Sequence, residues 1–228
     1  GADILDIGGE STRPGAQVVD VEEEKGRTAP VITAIKTQCT LPISIDTRKA
    51  PVAEAALNAG ANLVNDVAGF TYDSELGPLC ARTKTPVCVM HAQGDPATMQ
   101  QDPHYENVLL DVYDFLAKRI EALTLLGIPK HQIIVDPGIG FGKTQNHNLT
   151  LLNNISLFHS LGTPILLGAS RKKFIGMLSN TETAKDRDAG SIGVALAALS
   201  QGVQLIRAHD VAGHAQAIAL WRAAMAHE

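Results

Sequence analysis

Seven short apolar runs punctuate this chain, and each gives way to a polar cluster before a helical pattern begins. They cover residues 4–7, 43–45, 63–64, 87–90, 133–135, 165–167 and 205–206. Helix-period segments lie between them, at 52–59, 105–126, 149–161 and 192–200, with a last one at 211–225. Gly60, Gly127, Gly162 and Gly202 stand at or just beyond the ends of the first four, where a helix needs a left-handed stop. Strands that alternate with helices imply right-handed βαβ units and a parallel sheet. The near-continuous apolar character of several runs fits strands buried on both faces.

Such units can build an open doubly wound sheet or a closed barrel. A TIM (β/α)8 barrel takes about 250 residues, roughly 30 per unit. At 228 residues the chain is about one unit short of that. The opening residues, Gly1 to Ile7, read as a helix end running straight into a strand, with no Met and no leader. The expectation is therefore a TIM (β/α)8 barrel lacking its first β-strand unit, as one domain over residues 1–228. With 45% hydrophobic but only 4% aromatic residues, its core must be mostly Ala, Leu, Ile and Val.

The polar residues that end the runs are chemically capable ones. In chain order they are Glu10-Ser11-Thr12-Arg13; Asp46; Asn65-Asp66; His91; Asp136; Ser170-Arg171-Lys172; and Arg207 with His209. In a barrel of this kind the C-terminal strand ends form one mouth, where active sites are built. Asp46, Asn65 and Asp136 offer acceptors and donors to a flat, nitrogen-rich heterocycle, because carboxylates accept paired N–H bonds. Arg207 and His209 follow the last strand, a common phosphate-binding corner of the fold.

Each residue alone has a plainer reading. An Asp at a strand end is more often a helix cap than a site residue, and Asp66 suits that role better than Asn65. His91 serves equally well as a hydrogen-bonded core histidine, Met90 as packing, and Arg171 or Lys172 as a solvated charge. The alignment of all the clusters is what favours a site.

Other function classes find little support. The net charge of -5 gives no attraction to nucleic acid or to an anionic membrane, and no apolar stretch is long enough to span one. Cys39, Cys80 and Cys88 are odd in number and lack CxxC spacing, which favours a reducing cytoplasm over a disulfide framework or zinc site. Cys88, inside an apolar run, reads as a small core residue. The segment Asp136-Pro137-Gly138-Ile139-Gly140-Phe141-Gly142-Lys143-Thr144 has one residue too few for a Walker A loop and lacks the third Gly of a dinucleotide fingerprint. It reads instead as a supple loop bringing backbone and Phe141 to a ligand.

The blocks GADILDIGGESTRPGA, PISIDTRKA, LVNDVAGF, VMHAQGDPATMQ, IIVDPGIGFGKT, HNLTLL, LLGASRKKFIG and IRAHDV resemble, in order and spacing, those of the dihydropteroate synthase family. They run from the first residues to about position 211. The resemblance implies condensation of p-aminobenzoate with 6-hydroxymethyl-7,8-dihydropterin diphosphate, giving 7,8-dihydropteroate and diphosphate in folate synthesis. It implies that Asp46, Asn65, Asp136 and Lys172 hold the pterin, with Met90 and Phe141 lining its slot. Asp46, Asp136 and Lys172 would be the catalytic set. Arg207 and His209 would hold the diphosphate, and Thr12, Arg13, Pro14 and Ser170 would border p-aminobenzoate, where sulfonamides compete.

Mg²⁺ would accompany the diphosphate, and the family's N-x-T-P-D-S-F-type segment, which supplies an Asn to that centre, has no match here. Ala92 and Ala208 are smaller departures, where the family often has Met and Val. The partners implied are small molecules, with a homodimer possible and a cytoplasmic location. Two other readings stay open: a methyltetrahydrofolate-binding methyltransferase domain, which should lack STRPGA and SRKKFIG, and a chain that binds pterin without turning it over.

Overall fold

The computed structural model describes residues 1–13, 15–94 and 98–226. Seven parallel strands alternate with helices, at every position where the sequence pattern placed a strand. The first half runs β1 (Leu5–Gly8), α1 (Val21–Lys36), β2 (Ile43–Asp46), α2 (Ala50–Asn58), β3 (Leu63–Asp66), α3 (Leu76–Thr83) and β4 (Val87–Met90). The second half runs α4 (Val108–Leu125), β5 (Ile133–Asp136), α5 (Gln145–Asn153), β6 (Leu166–Leu167), α6 (Lys173–Ser179), α7 (Asp188–Leu199), β7 (Leu205–Ile206) and α8 (Val211–Met225). Strands β1 to β5 pair in sequence order, β6 pairs with β7, and a bridge between Val135 and Ile165 joins the two sets. This is a TIM-type barrel. Among the described residues no pairing joins β7 to β1, so its wall is open on that side.

The register decides which side chains look inward. Gly8 pairs with Asp46, Asp46 with Asn65, Asn65 with Cys88, and Met90 with Asp136. Residues two apart share a face of a strand. One face of the sheet thus carries Asp6, Ser44, Asp46, Asn65, Cys88, Met90 and Asp136. The opposite face carries Ile43, Ile45, Val64, Val87, Val89, Ile133 and Val135, all fully buried in the main apolar core. The apolar face is dry, whereas the face with the polar groups stays partly exposed at Asp6 and Asp46.

Local chemistry sets the helix limits. Asn107 caps α4 by accepting from the amides of Leu109 and Leu110, so the helix starts later than the apolar spacing from Tyr105 suggests. Its Val108, Val112, Leu116, Ile120 and Leu123 form the buried stripe. The segment expected as one helix over 149–161 is two elements. A capping box of Thr144 and His147 starts α5 earlier, and a 3₁₀ turn at Ile155–Leu161 follows it. Helices α1, α3 and α6 were not anticipated. In α1, Gly26 and Pro30 obscure the pattern, yet Asp20 caps its start and Glu22, Glu23 and Glu24 suit the positive end of its dipole. Cys88 is buried at 0% exposure, as its position in an apolar run suggested.

Candidate active site

Five groups that end consecutive or neighbouring strands converge on the barrel mouth. Asp46 stands at the end of β2, and its Oδ2 accepts from Arg207 Nη2 at 3.2 Å. Arg207, just beyond β7, also donates through Nε to Asp6 Oδ2 at 2.6 Å. One guanidinium thus spans the open side of the wall, with 48% of its side chain exposed and so reachable by an anion. Burial, reinforced by the neighbouring Asp6 and only partly offset by Arg207, pushes the Asp46 carboxyl up to about 7.

Asp136 ends β5. Its Oδ1 accepts from the Gly138 amide at 2.7 Å. Burial raises its pKa against the pull of Lys172, that hydrogen bond, Lys143 and Arg207. Lys172 is held by donating to the Ile139 carbonyl, and its ammonium sits 4.3 Å from the centroid of the Phe141 ring. Burial lowers Lys172 to about 8 although Asp136 opposes the shift. Phe141, Lys172 and Asp136 are therefore one cluster. Asn65 is 7% exposed, and among the described residues its side-chain amide makes no hydrogen bond. Met90 is buried beside Asp136 in the register.

The glycine-rich segment has a steric reason for its composition. Gly138 adopts φ +69°, and a Cβ there would come within 1.8 Å of the His91 carbonyl oxygen. This close passage lets the loop fold back over β4 and bring Phe141 to Lys172. Lys143, at the far end of the loop, is buried and bonded to His91 Nδ1 at 2.9 Å and to the Phe141 carbonyl at 3.0 Å. His91 is held neutral by burial and Lys143, with its pKa pushed down to about 2, and it stacks edge-on against Phe115. The core reading of His91 is the one the structure supports.

Asp66 is structural too, although it ties the turn after β3 and does not cap α3, whose N-cap is Glu75. It accepts from the amides of Ala68 at 2.7 Å and Phe70 at 2.6 Å, on the face away from the mouth. Arg171 is pinned to Asp188 at 2.7 and 2.8 Å. Its own φ of 59° turns the chain between Arg171 and Lys172. Adjacent cations are thereby split into a structural one and a site one.

The remaining expected residues lie on the flank by β7 and β1. Ser170 Oγ lies 3.0 Å from His209 Nδ1 and accepts from the His209 amide at 3.2 Å. Burial, followed by Arg171, Arg207 and Arg13, lowers the His209 pKa. Arg13 is exposed and Thr12 half-buried in the loop between β1 and α1. Pro14 lies outside the described residues. A cavity of about 320 Å³ beside the mouth shares Phe141 with the cluster and is otherwise lined by Arg48, Val67, Tyr72 and Met99, among others. The strand-end carboxylates line the open mouth rather than this cavity.

The sequence reading missed Asp6 and Lys143. Asp6 stands inside an apolar run, and a carboxylate there is itself a signal of an inward-facing group. Its second oxygen, Oδ1, is buried and without a partner among the described residues. Lys143 left no such signal, because a Lys after a glycine-rich loop looks solvated. Among the described residues no three His, Cys, Asp or Glu side chains are grouped to hold a metal. No helix is long and apolar enough to cross a membrane.

Comparison with known proteins bears directly on this mouth. The family model for pterin binding enzymes matches residues 1–209. A dihydropteroate synthase from Synechocystis is 42% identical over 97% of this chain and 78% of its own length. The Yersinia pestis dihydropteroate synthase, solved with a sulfonamide drug complex, superposes with a TM-score of 0.96 at 40% identity, over 100% of this chain and 82% of that one. The Xanthomonas albilineans dihydropteroate synthase with 4-aminobenzoic acid superposes with a TM-score of 0.95 at 43% identity, over 100% of this chain and 81% of that one.

Proposed function

The chain belongs to the family of pterin-binding enzymes, and we propose that its barrel mouth performs the dihydropteroate synthase reaction. In that reaction p-aminobenzoate displaces diphosphate from 6-hydroxymethyl-7,8-dihydropterin diphosphate. The observation that carries this reading is the convergence of Asp46, Asn65, Asp136 and Lys172 on one inward face, with Arg207 beside them. A pterin edge is rich in N–H donors and ring acceptors, and this set supplies both kinds of partner. Met90 and Phe141 give the flat ring apolar walls.

The chemistry follows from charge. The bond between the pterin methylene carbon and the diphosphate oxygen breaks, and its electron pair leaves with the diphosphate. The carbon left behind is cation-like and conjugated with the ring. Asp46 and Asp136 are carboxylates whose burial is incompletely compensated, so developing positive charge in the ring is worth more to them than a neutral ground state. Arg207 and His209 take up the charge on the leaving group. The amine of p-aminobenzoate then forms the new C–N bond. The resulting ammonium is acidic enough to release its proton without a strong base, so the mechanism is an ionising displacement with no covalent enzyme intermediate.

Thr12, Arg13 and Ser170 border the p-aminobenzoate position, where sulfonamides compete. The described residues do not fit a resident metal site. Mg²⁺ would accompany the diphosphate and supply positive charge to the leaving group. A cytoplasmic location and a homodimer complete the reading.

The test mixes the purified chain with the pterin diphosphate, p-aminobenzoate and Mg²⁺ and follows dihydropteroate and diphosphate together. Equal release of both, abolished by Lys172→Ala, is the expected result. Diphosphate release that does not depend on p-aminobenzoate would reduce the function to hydrolysis, and no release would leave a pterin-binding protein.

A further inference from the structure

Beneath the β1–α1 loop lie two acids and two bases to which no substrate role has been given. Glu10 Oε1 accepts from Arg48 Nη2 at 2.6 Å, and Glu10 Oε2 accepts from Lys49 Nζ at 2.8 Å. Lys49 Nζ also donates to Glu24 Oε2 at 2.7 Å, while Thr47 Oγ1 donates to Glu24 Oε1 at 2.7 Å. None of the four charged side chains is more than 7% exposed. Their charges cancel, as they must where ions are held out of water. Apolar residues of the same volume would stabilise the fold as well or better, so stability alone does not account for the cluster.

What apolar residues could not do is grip the backbone of Val19. Glu10 Oε2 accepts from the Val19 amide at 2.8 Å, and Lys49 Nζ donates to the Val19 carbonyl at 2.6 Å. Both polar groups of one peptide residue are thus tied to the same ion pair from which the loop departs. Gly9 adds a second constraint, because a Cβ there would lie 2.9 Å from Glu24 Cγ and 3.1 Å from the Glu24 carbonyl. The chain therefore enters the loop pressed against α1. Between these anchors the internal bonds of the described residues are few: Arg13 N to Ser11 Oγ at 3.4 Å and Ala16 N to the Arg13 carbonyl at 3.0 Å. Among the described residues the loop's bonds to the rest of the molecule are at its base.

We propose that Glu10 and Lys49, with Glu24 balancing the second cation, form a positioning device that closes the base of the β1–α1 loop and so sets where Thr12 and Arg13 meet p-aminobenzoate. Lys49 and its partners are positioning residues, since they act through the loop and not on substrate. This role rests on the reading that the loop borders p-aminobenzoate, and the variants below separate the two.

The double variant Lys49→Met/Glu24→Gln removes one cation and one anion together, leaving Glu10 paired with Arg48 and the cluster neutral. It keeps its fold but loses the grip on the Val19 carbonyl. Its KM for p-aminobenzoate should rise about tenfold or more, the scale on which small misplacements act. Its KM for the pterin diphosphate should change by less than about twofold, because the strand-end residues are untouched. Glu24→Gln alone keeps both ties to Val19 and leaves both KM values near wild type. Cleavage by thermolysin on the N-terminal side of Val18, an exposed loop residue, should speed up in the double variant and not in Glu24→Gln.

A folded double variant with unchanged p-aminobenzoate KM and unchanged cleavage overturns the proposal, as does a rise in both KM values together. Arg13→Ala is the separating control. If Arg13→Ala raises the p-aminobenzoate KM and the double variant does not, positioning fails while the loop keeps its substrate role. If Arg13→Ala leaves that KM unchanged, the loop does not border p-aminobenzoate and the proposal falls with it. Should the double variant not fold, Glu10→Gln keeps the volume, gives up the carboxylate grip, and is judged by the same split.

Discussion

The floor of the barrel mouth and the flank beside it hold their functional groups in different ways. On the floor, Asp46, Asn65, Met90 and Asp136 project from regular strands, and the parallel register fixes all four on one face. Burial raises both carboxylates there, Asp46 to about 7. On the flank, Thr12 and Arg13 ride a loop, Arg207 is half exposed, and Ser170 and His209 hold each other across two loops. A rigid desolvated floor suits recognition of a flat ring and stabilisation of charge developing in it. An open, cationic flank suits an anion that must arrive and depart. The same barrel end thus divides its labour, with order where charge develops and access where product leaves.

Substitutions should break this division unequally. The largest effect is expected on the floor, where Asp136→Asn keeps the shape but removes the charge. Turnover should fall by about 10²- to 10³-fold, as when a preorganised charge partner is lost, and unchanged turnover would end the charge-stabilising role. Arg207→Ala on the flank should act mainly on binding. The KM for the pterin diphosphate should rise roughly 10- to 100-fold, the range for a charge-assisted hydrogen bond, while affinity for a pterin without diphosphate changes little.

The next effect is one of pH. Asp46 gains its charge near pH 7 and Lys172 loses its charge near pH 8. A profile of kcat/KM for the pterin diphosphate, which reports the free enzyme, should therefore be a narrow bell between those limbs. Lys172→Arg should remove the alkaline limb and keep the acid one.

The smallest effect is on stability. The folded state keeps the Asp46 proton up to about pH 7, whereas an unfolded chain releases it near the ordinary carboxylate value of 3.8. Between those values the folded form binds more protons, so Asp46 costs stability increasingly as pH rises. Asp46→Asn removes that cost. The variant should be more stable than wild type by roughly 1 kcal/mol at pH 8, with the difference closing toward pH 4. Thermal melts at the two pH values measure it, and a variant less stable at pH 8 would contradict the assignment.

The floor was the more legible region. A carboxylate or amide ending an apolar run must take one face or the other of a parallel sheet, and Asp46, Asn65 and Asp136 took the mouth face while Asp66 took the opposite one. Family resemblance assigned Phe141 and Lys172 each to the pterin slot, but neither their contact nor the close Gly138 passage at His91 that brings them together was visible in composition. The flank was harder to read, because loops lack a period. Thr12 and Arg13 could be named, yet nothing in their spacing pointed to the Glu10–Lys49–Glu24 cluster that holds the base of their loop. Its members are far apart in sequence, and each alone resembles an ordinary surface charge. Helix α1 was missed for a related reason, since Pro30 and Gly26 outweighed a good cap in a local reading.

The most direct test of the division between floor and flank is a pair of titrations with 6-hydroxymethylpterin, which carries no diphosphate. Asp136→Asn should lose most of its affinity for this ring, and Arg13→Ala should bind it as wild type does. Equal losses in the two variants, or a loss in Arg13→Ala alone, would contradict a pterin floor built from the strand ends.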